Sequence, residues 1–377
     1  MSEAPSIDWA DEPGLEDKLR LALVDGIGPR LTQALLRRFG DAGAVFAADE
    51  TALQTAEGIG PKLSRAIVLG RAIDVGIEIR QCRDHGVALL VRGSEQYPDS
   101  LAEIPDPPSV LYVKGTIEPR DATAVAIVGS RHCTEYGTKV AEQLAGGLAR
   151  AGVTVVSGLA RGIDEAAHRG ALKAGGRTLA VLGSGLAKIY PPEHCGLAEE
   201  VTRRGALISE SPLLAEPLAG AFPQRNRIIS GLSLGVVVVE AAHRSGALIT
   251  ARHANEQGRD VFAVPGRIDS RMSHGCHALL RDGAKLVETV DDVLEELGHL
   301  VSPAPQADGT LLHKPAELLL NSNEKRVLAV LPEGRSATVD EVMAAAELSV
   351  PQVLTTLNVL EMRRLIRRVA GNAVIRI

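Results

Sequence analysis

The sequence predicts an α/β protein built on an extended Rossmann-like, mostly parallel sheet, with an N-terminal helical (helix-hairpin-helix, SAM-like) domain and a C-terminal winged-helix domain. Three observations carry this. A Gly-Ile-Gly-Pro turn recurs near the start of the chain. From Asp121 onward, β-branched apolar runs alternate with stretches of helical period. A proline-rich segment then isolates three short helices and a hairpin.

The repeat comes first. Leu21–Leu31 is echoed by Leu53–Leu63, and each copy reads as helix, turn and a second helix opened by proline, whose missing N–H costs nothing at the first helical position. The glycines permit the tight turn. Between Ile77 and Gly115 two short strands, Val87–Val91 and Val110–Val113, flank prolines. Seven strand candidates follow: Val125–Val128, Val153–Val156, Thr178–Leu182, Leu207–Ile208, Val236–Val239, Val261–Val264 and Lys285–Val287. Continuous runs such as GVVVVEA indicate strands buried on both faces, hence a mainly parallel sheet with helices outside. His299–Pro315 reads as linker, and helices at Asn323–Leu331, Thr338–Ala346 and Pro351–Leu365 lead into a terminal hairpin. The expected domains are 1–75 (paired hairpins), 76–298 (sheet), 299–319 (linker) and 320–377 (winged helix).

Composition narrows the function. With 377 residues, 45% hydrophobic and 23% charged, the chain can build a sizeable core, and global disorder is excluded. No apolar run reaches the roughly 18 residues of a membrane span, and the acidic first residues are unlike a signal peptide. Four scattered cysteines without a CxxC pair suggest a reducing cytoplasm and no metal site. A net charge of −6 excludes a blanket polycation but leaves room for nucleic acid in a locally basic groove. Nine aromatic residues (four Phe, four Tyr, one Trp) are too few for a platform of many stacked bases.

Anion-binding chemistry collects at turns after strands. Gly129-Ser130-Arg131 follows the first strand of the rhythmic region, where helix N-termini offer unpaired amides to an anion. Arg161 in SGLARGID is a phosphate donor candidate, whereas Asp164 and His168 read as cap and packing residues. Phe222, Arg225, Asn226 and Arg227 sit within FPQRNR, a cluster suited to a phosphate backbone and one stacked base; intramolecular salt bridges are the alternative. Ser245 and Gly246 lie at the same ligand edge. Catalytic constellations are missing: there is no GxSxG, no HExxH, and no nucleophile beside a base. No cofactor is expected. The chain also lacks a GxGxxG fingerprint and a GxxxxGK[ST] loop.

These motifs resemble the DNA-processing protein A (DprA/Smf) family of bacterial natural transformation. The resemblance rests on GSR at 129–131, SGLARGID at 157–164, AVLGSGL at 180–186, YPPEH at 190–194, ISESP at 208–212, FPQRNRIISGLS at 222–233, VVVEAAHRSGALITARHANEQGRDVFAVPG at 237–266 and SHGCHALLRDGAKLV at 273–287. It implies a non-enzymatic, dimeric, cytoplasmic protein that binds and protects single-stranded DNA and helps load the RecA recombinase, with other single-strand-binding proteins as further partners. Carried over by residue, Ser130, Arg131, Phe222, Arg225, Asn226 and Arg227 would hold the strand, with Ser245 and Gly246 supporting. Pro192-Glu193-His194 stands where many members carry lysines.

Three further expectations follow. Gly28, Arg30, Gly60 and Lys62 form a second DNA site, or else the hairpins serve packing alone. Leu280 and Leu286 lie at a two-fold interface, or else in the core. The winged helix has no basic residue in Pro351–Met362, so a protein-contact role is expected there, with any DNA contact through the wing. The competing reading is a nucleotide-processing Rossmann enzyme related to phosphoribohydrolases, whose PGGxGTxxE signature is absent at Val264-Pro265-Gly266-Arg267.

Overall fold

A computed structural model describes Trp9 and residues 12–298, 322–331, 336–346, 348–362, 366–369 and 373–376. The expected linker lies outside the described residues, as do Arg363 and Arg364. The chain forms two compact units, 1–149 with 153–288, and 150–152 with 289–377.

The first unit holds a nine-stranded sheet. Its strands are β1 (Val87–Val91), β2 (Val110–Gly115), β3 (Ala124–Val128), β4 (Thr154–Ser157), β5 (Thr178–Val181), β6 (Ala206–Ser209), β7 (Gly235–Val238), β8 (Asp260–Ala263) and β9 (Lys285–Leu286). The spatial order is β1-β2-β6-β5-β4-β3-β7-β8-β9. β3 to β9 are parallel; β1 and β2 join antiparallel, through β2 on β6. The chain winds outward from β3 to β6, then returns to β3's other side with β7. β3 and β7 therefore flank the topological switch point, where an open α/β sheet forms its ligand crevice. β3 and β7 are buried along their whole length, as the continuous apolar runs required. Two apolar layers cover the two faces. One contains Ala126, Val128, Val181 and Ile228; the other contains Leu89, Tyr112, Leu182 and Leu207 together with Leu19 and Cys82 from the N-terminal helices.

The hairpin repeat is borne out in its backbone. Gly26 and Gly58 adopt φ of 81° and 80°, and Gly28 and Gly60 adopt extended φ of −90° and −95° before the helices Pro29–Phe39 and Pro61–Gly70. The copies interlock. A Cβ on Gly26 would meet Leu63 Cδ2 at 3.0 Å, and one on Gly58 would meet Leu31 Cδ2 at 2.7 Å, so each copy seats a leucine on the other's turn. Ile27 and Ile59 both point into their shared core.

In the second unit, helices Ser322–Ala329, Val339–Ala346 and Val350–Met362 pack with a three-stranded sheet of β10 (Ser336–Thr338), β11 (Ile366–Val369) and β12 (Ala373–Arg376), in the order β10-β12-β11. This is the winged-helix layout expected from the sequence, with β10 as an added strand.

Candidate nucleic-acid interface

The crevice at the β3/β7 switch point opens into a cleft of about 730 Å³. Its floor is assembled by close backbone approach. A Cβ on Gly129 would lie 2.6 Å from Ile163 Cγ1, and one on Gly162, where φ is +78°, would lie 2.4 Å from the Ser130 carbonyl. Only glycine lets these turns touch. The Ser130 amide donates to the Glu240 carbonyl at 2.7 Å, tying the β3 turn to the β7 turn, and the Ser130 hydroxyl accepts from the His132 amide at 3.1 Å. The Glu240 carboxylate is buried and accepts from the Thr134 amide and hydroxyl at 2.8 and 2.7 Å, so it anchors the start of the next helix.

Arg225 occupies the deepest basic position. It is 4% exposed, donates from one terminal nitrogen to the Gly158 carbonyl at 2.8 Å, and its Nε has no partner among the described residues. A Cβ on Gly158 would sit 2.6 Å from both Arg225 and Asp164, so the guanidinium and this carboxyl press on the same bare Cα. Burial pulls the Arg225 pKa down to about 10, opposed by the charge of Asp164, while burial raises that of Asp164 against the pull of Arg225. Arg131 and Arg244 line the cleft above and are exposed. Helices starting at Ile163, Ala221 and Ala247 begin at this edge and bring the positive ends of their dipoles with them.

Two rings with a cation at each end form a row along the rim. Arg131 lies over Phe222 at 5.3 Å, Phe222 meets Tyr190 at 5.6 Å, and Arg161 lies over Tyr190 at 5.9 Å. Gly183 makes room for Phe222, since a Cβ there would lie 2.9 Å from its ring.

Residues 88–298 match the family model described as DNA recombination-mediator protein A, more than half of the chain. The chain belongs to the DNA recombination-mediator protein A family. Residues 18–71 match a SAM-like helix-hairpin-helix tandem, and 312–372 the DprA winged helix domain. Among relatives of this chain, Protein Smf of Escherichia coli is 43% identical over 293 residues, which is 76% of each chain. DNA processing protein DprA of Streptococcus pneumoniae is 48% identical over 200 residues, covering 53% of this chain and 71% of that one. The X-ray structure of DprA from Streptococcus pneumoniae superposes with a TM-score of 0.65 at 37% identity, covering 74% of this chain and 95% of that chain. DNA processing protein A of Helicobacter pylori, solved to describe its single-stranded DNA binding mode, gives a TM-score of 0.51 at 30% identity over 56% of this chain and 95% of that chain.

Within this cleft the expected contact residues divide. Ser130, Arg131, Phe222, Arg225, Asn226, Ser245 and Gly246 line the one cleft. The Asn226 amide donates to the Gly246 carbonyl at 3.2 Å, and the Ser245 hydroxyl accepts from the Ala247 amide at 3.3 Å, so both shape turns. Arg227 does not belong with them. It is 3% exposed, its Nε donates to the Asp106 carbonyl at 3.0 Å, and its terminal nitrogens clasp both Glu210 oxygens at 2.9 and 2.6 Å. The intramolecular salt bridge is the correct reading for this residue. Arg161 stands outside the cleft lining, exposed and donating to Glu193 at 2.6 Å. Gly28 borders a neighbouring slot, and Arg30 approaches Asp106 at 4.0 Å; Gly60 and Lys62 are exposed, outside the cleft. Leu280 packs half-buried against the core, whereas Leu286 is 50% exposed on β9. Tyr190 and Arg244 were not singled out from the sequence. The scarcity of aromatic residues was the available signal for Tyr190, and its place directly before Ser245 in the GVVVVEAAHRSG run was the signal for Arg244.

The loop carrying Gly158 and Ala160 is held by two buried histidines. Leu159, at φ +55°, donates from its amide to His168 Nε2 at 3.3 Å and accepts at its carbonyl from His194 Nδ1 at 2.9 Å. The Thr178 hydroxyl donates to the Val155 carbonyl, so it accepts from His168 Nδ1 at 2.7 Å, which fixes a neutral tautomer. Burial drives the His168 pKa down to about 3. The unfolded chain takes up a proton at this residue near pH 6.5 and the folded chain does not. Stability from this group is therefore complete above about pH 6.5 and lost progressively as pH falls toward 3, by up to roughly 4–5 kcal/mol. Denaturant titrations of wild type between pH 4.5 and 7 should show stability rising with pH, and His168→Gln should flatten that slope. Equal slopes would mean another group sets the dependence.

Proposed function

We propose that this protein binds single-stranded DNA largely without sequence preference, protects it, and helps load RecA recombinase during natural transformation and DNA recombination. The observation that carries the reading is the switch-point cleft. It joins a buried arginine, whose Nε is unpartnered among the described residues, to two exposed arginines, helix N-termini and a ring pair. Cations and amides grip phosphates of any sequence, and a ring face stacks any base. The Helicobacter pylori relative, solved in connection with single-stranded DNA binding, supports the same use. The family name, recombination mediator, supports the hand-over to RecA.

The role proposed is binding rather than catalysis, because the nearby carboxyls have structural work: Glu240 anchors a helix, Glu210 clasps Arg227, and Asp164 faces Arg225. A homodimer across the β9 edge is part of the proposal. Leu286 offers an exposed apolar side chain there, and an open strand edge favours pairing with a second copy. A cytoplasmic setting belongs to the same reading; among the described residues no helix is long and apolar enough to cross a membrane.

The test is a salt-dependent mobility-shift series on single- and double-stranded oligonucleotides, run beside nucleotide hydrolysis, with light scattering for the oligomeric state. Single-strand preference with a steep salt slope, no turnover and a dimer at micromolar concentration are expected. Turnover of a nucleotide without retention of DNA would favour the enzymatic alternative, and a monomer would remove the β9 interface.

A further inference from the structure

A second, smaller recess adjoins the cleft on the far side of Arg225. It encloses about 200 Å³ between the first hairpin turn and the sheet. That is below the roughly 300–1,000 Å³ of pockets that take whole drug-sized ligands, and fits a fragment such as one flat heterocycle. Its walls are unlike those of the cleft. Pro29, Pro108 and Pro212 present apolar rings, Ser211 and Gln224 bring a hydroxyl and an amide, and Gly28 leaves one side open. The carboxylate at its edge, Glu210, is already neutralised by Arg227 at 2.6 Å. A phosphate would gain little from such walls; an uncharged ring with hydrogen-bonding edges would gain contact on several sides.

Arg225 connects the two spaces, since it lines both, and its buried Nε is an orphan donor of the kind that native structures rarely leave without a partner. We propose that the recess between the first hairpin and the sheet is a nucleobase slot: a strand lying in the cleft turns one base past Arg225 and into contact with Gly28 and Pro29. The inference rests on the single-strand reading above and extends it to the helical module. It makes the two hairpin copies unequal, because only the first borders the slot.

The duplication supplies a matched control. Gly28 and Gly60 share extended backbone that any residue adopts, and a Cβ at either meets nothing within 4 Å. Gly28→Leu would fill the slot, while Gly60→Leu places the same side chain on the exposed copy. Anisotropy with a labelled oligo-dT of about 20 nucleotides should show Gly28→Leu binding 5–10-fold more weakly, because the leucine takes the space of the seated base. Its salt slope should be unchanged, since no phosphate contact is lost. Gly60→Leu should stay within twofold of wild type. If Gly28→Leu melts below Gly60→Leu, Gln224→Leu, from the sheet side of the slot, replaces it with the same expectation. Failure of wild type to retain the oligonucleotide would overturn the binding reading and the slot with it. Retention by wild type, with equal retention by Gly28→Leu and Gln224→Leu, or an equal loss in Gly28→Leu and Gly60→Leu, would overturn the slot alone.

Discussion

Arg225→Met is expected to weaken single-stranded DNA binding by about 30–150-fold while leaving a folded protein. Removing one partner of a desolvated charge contact typically loses roughly 2–5 kcal/mol, and about 2–3 kcal/mol, the low end of that range, corresponds to this factor. The position explains the size. Arg225 is 4% exposed, already shed of water, and fixed by the Gly158 carbonyl, so its charge is presented without ordering a flexible side chain at the moment of binding. Methionine keeps the packing volume but loses the donors. The salt slope should also flatten by about 0.7 for the one phosphate contact removed. Asp164 would lose the cation that opposes its burial and take up a proton more readily. Arg131→Ala, at an exposed position on the ring of Phe222, should cost only about 3–5-fold with a similar change of slope. An Arg225→Met protein that binds within twofold of wild type would show that the cleft is not where the strand lies.

Arg227→Ala should do the reverse, with a large loss of stability and little direct effect on affinity. The substitution strands Glu210 and Asp106, both mostly buried beside it, and breaking a buried ion pair on one side costs about 3–5 kcal/mol. For a unit of this size each kcal/mol lowers the melting temperature by roughly 2–4 °C, so a fall of about 10 °C is expected. Arg227→Lys should recover little, because an ammonium cannot clasp both Glu210 oxygens and reach the Asp106 carbonyl as well. Calorimetry with all three proteins reads the outcome; an alanine variant that melts with wild type would return Arg227 to the list of candidate contacts.

That pair of arginines also marks where sequence reasoning reaches and where it stops. Arg225 and Arg227 look equivalent in FPQRNR, yet they are two residues apart on the helix Ala221–Gly231, and a helix turns about 200° over two residues. They must face opposite ways, and only the packing decides which faces the cleft. The strands were legible because burial on both faces leaves continuous apolar runs: Val236–Val239 was expected and Gly235–Val238 is found. The hairpin repeat was legible because the turn needs glycine at a positive φ in both copies. The antiparallel direction of β1 and β2 was not, since VALLV and VLYVKG carry no mark of orientation. Nor was the ladder of Arg131, Phe222, Tyr190 and Arg161, whose members come from three separate loops and the start of one helix.

The interlocked leucines carry a consequence for how the helical module is inherited and truncated. Because Leu31 lies over the turn of the second copy and Leu63 over the turn of the first, neither copy closes its own core. The segment that was duplicated is therefore not the segment that folds: the two copies form one cooperative foldon. A chain cut between them would leave a bare leucine and an unfilled turn on each side, so shortened forms should lack both copies or keep both.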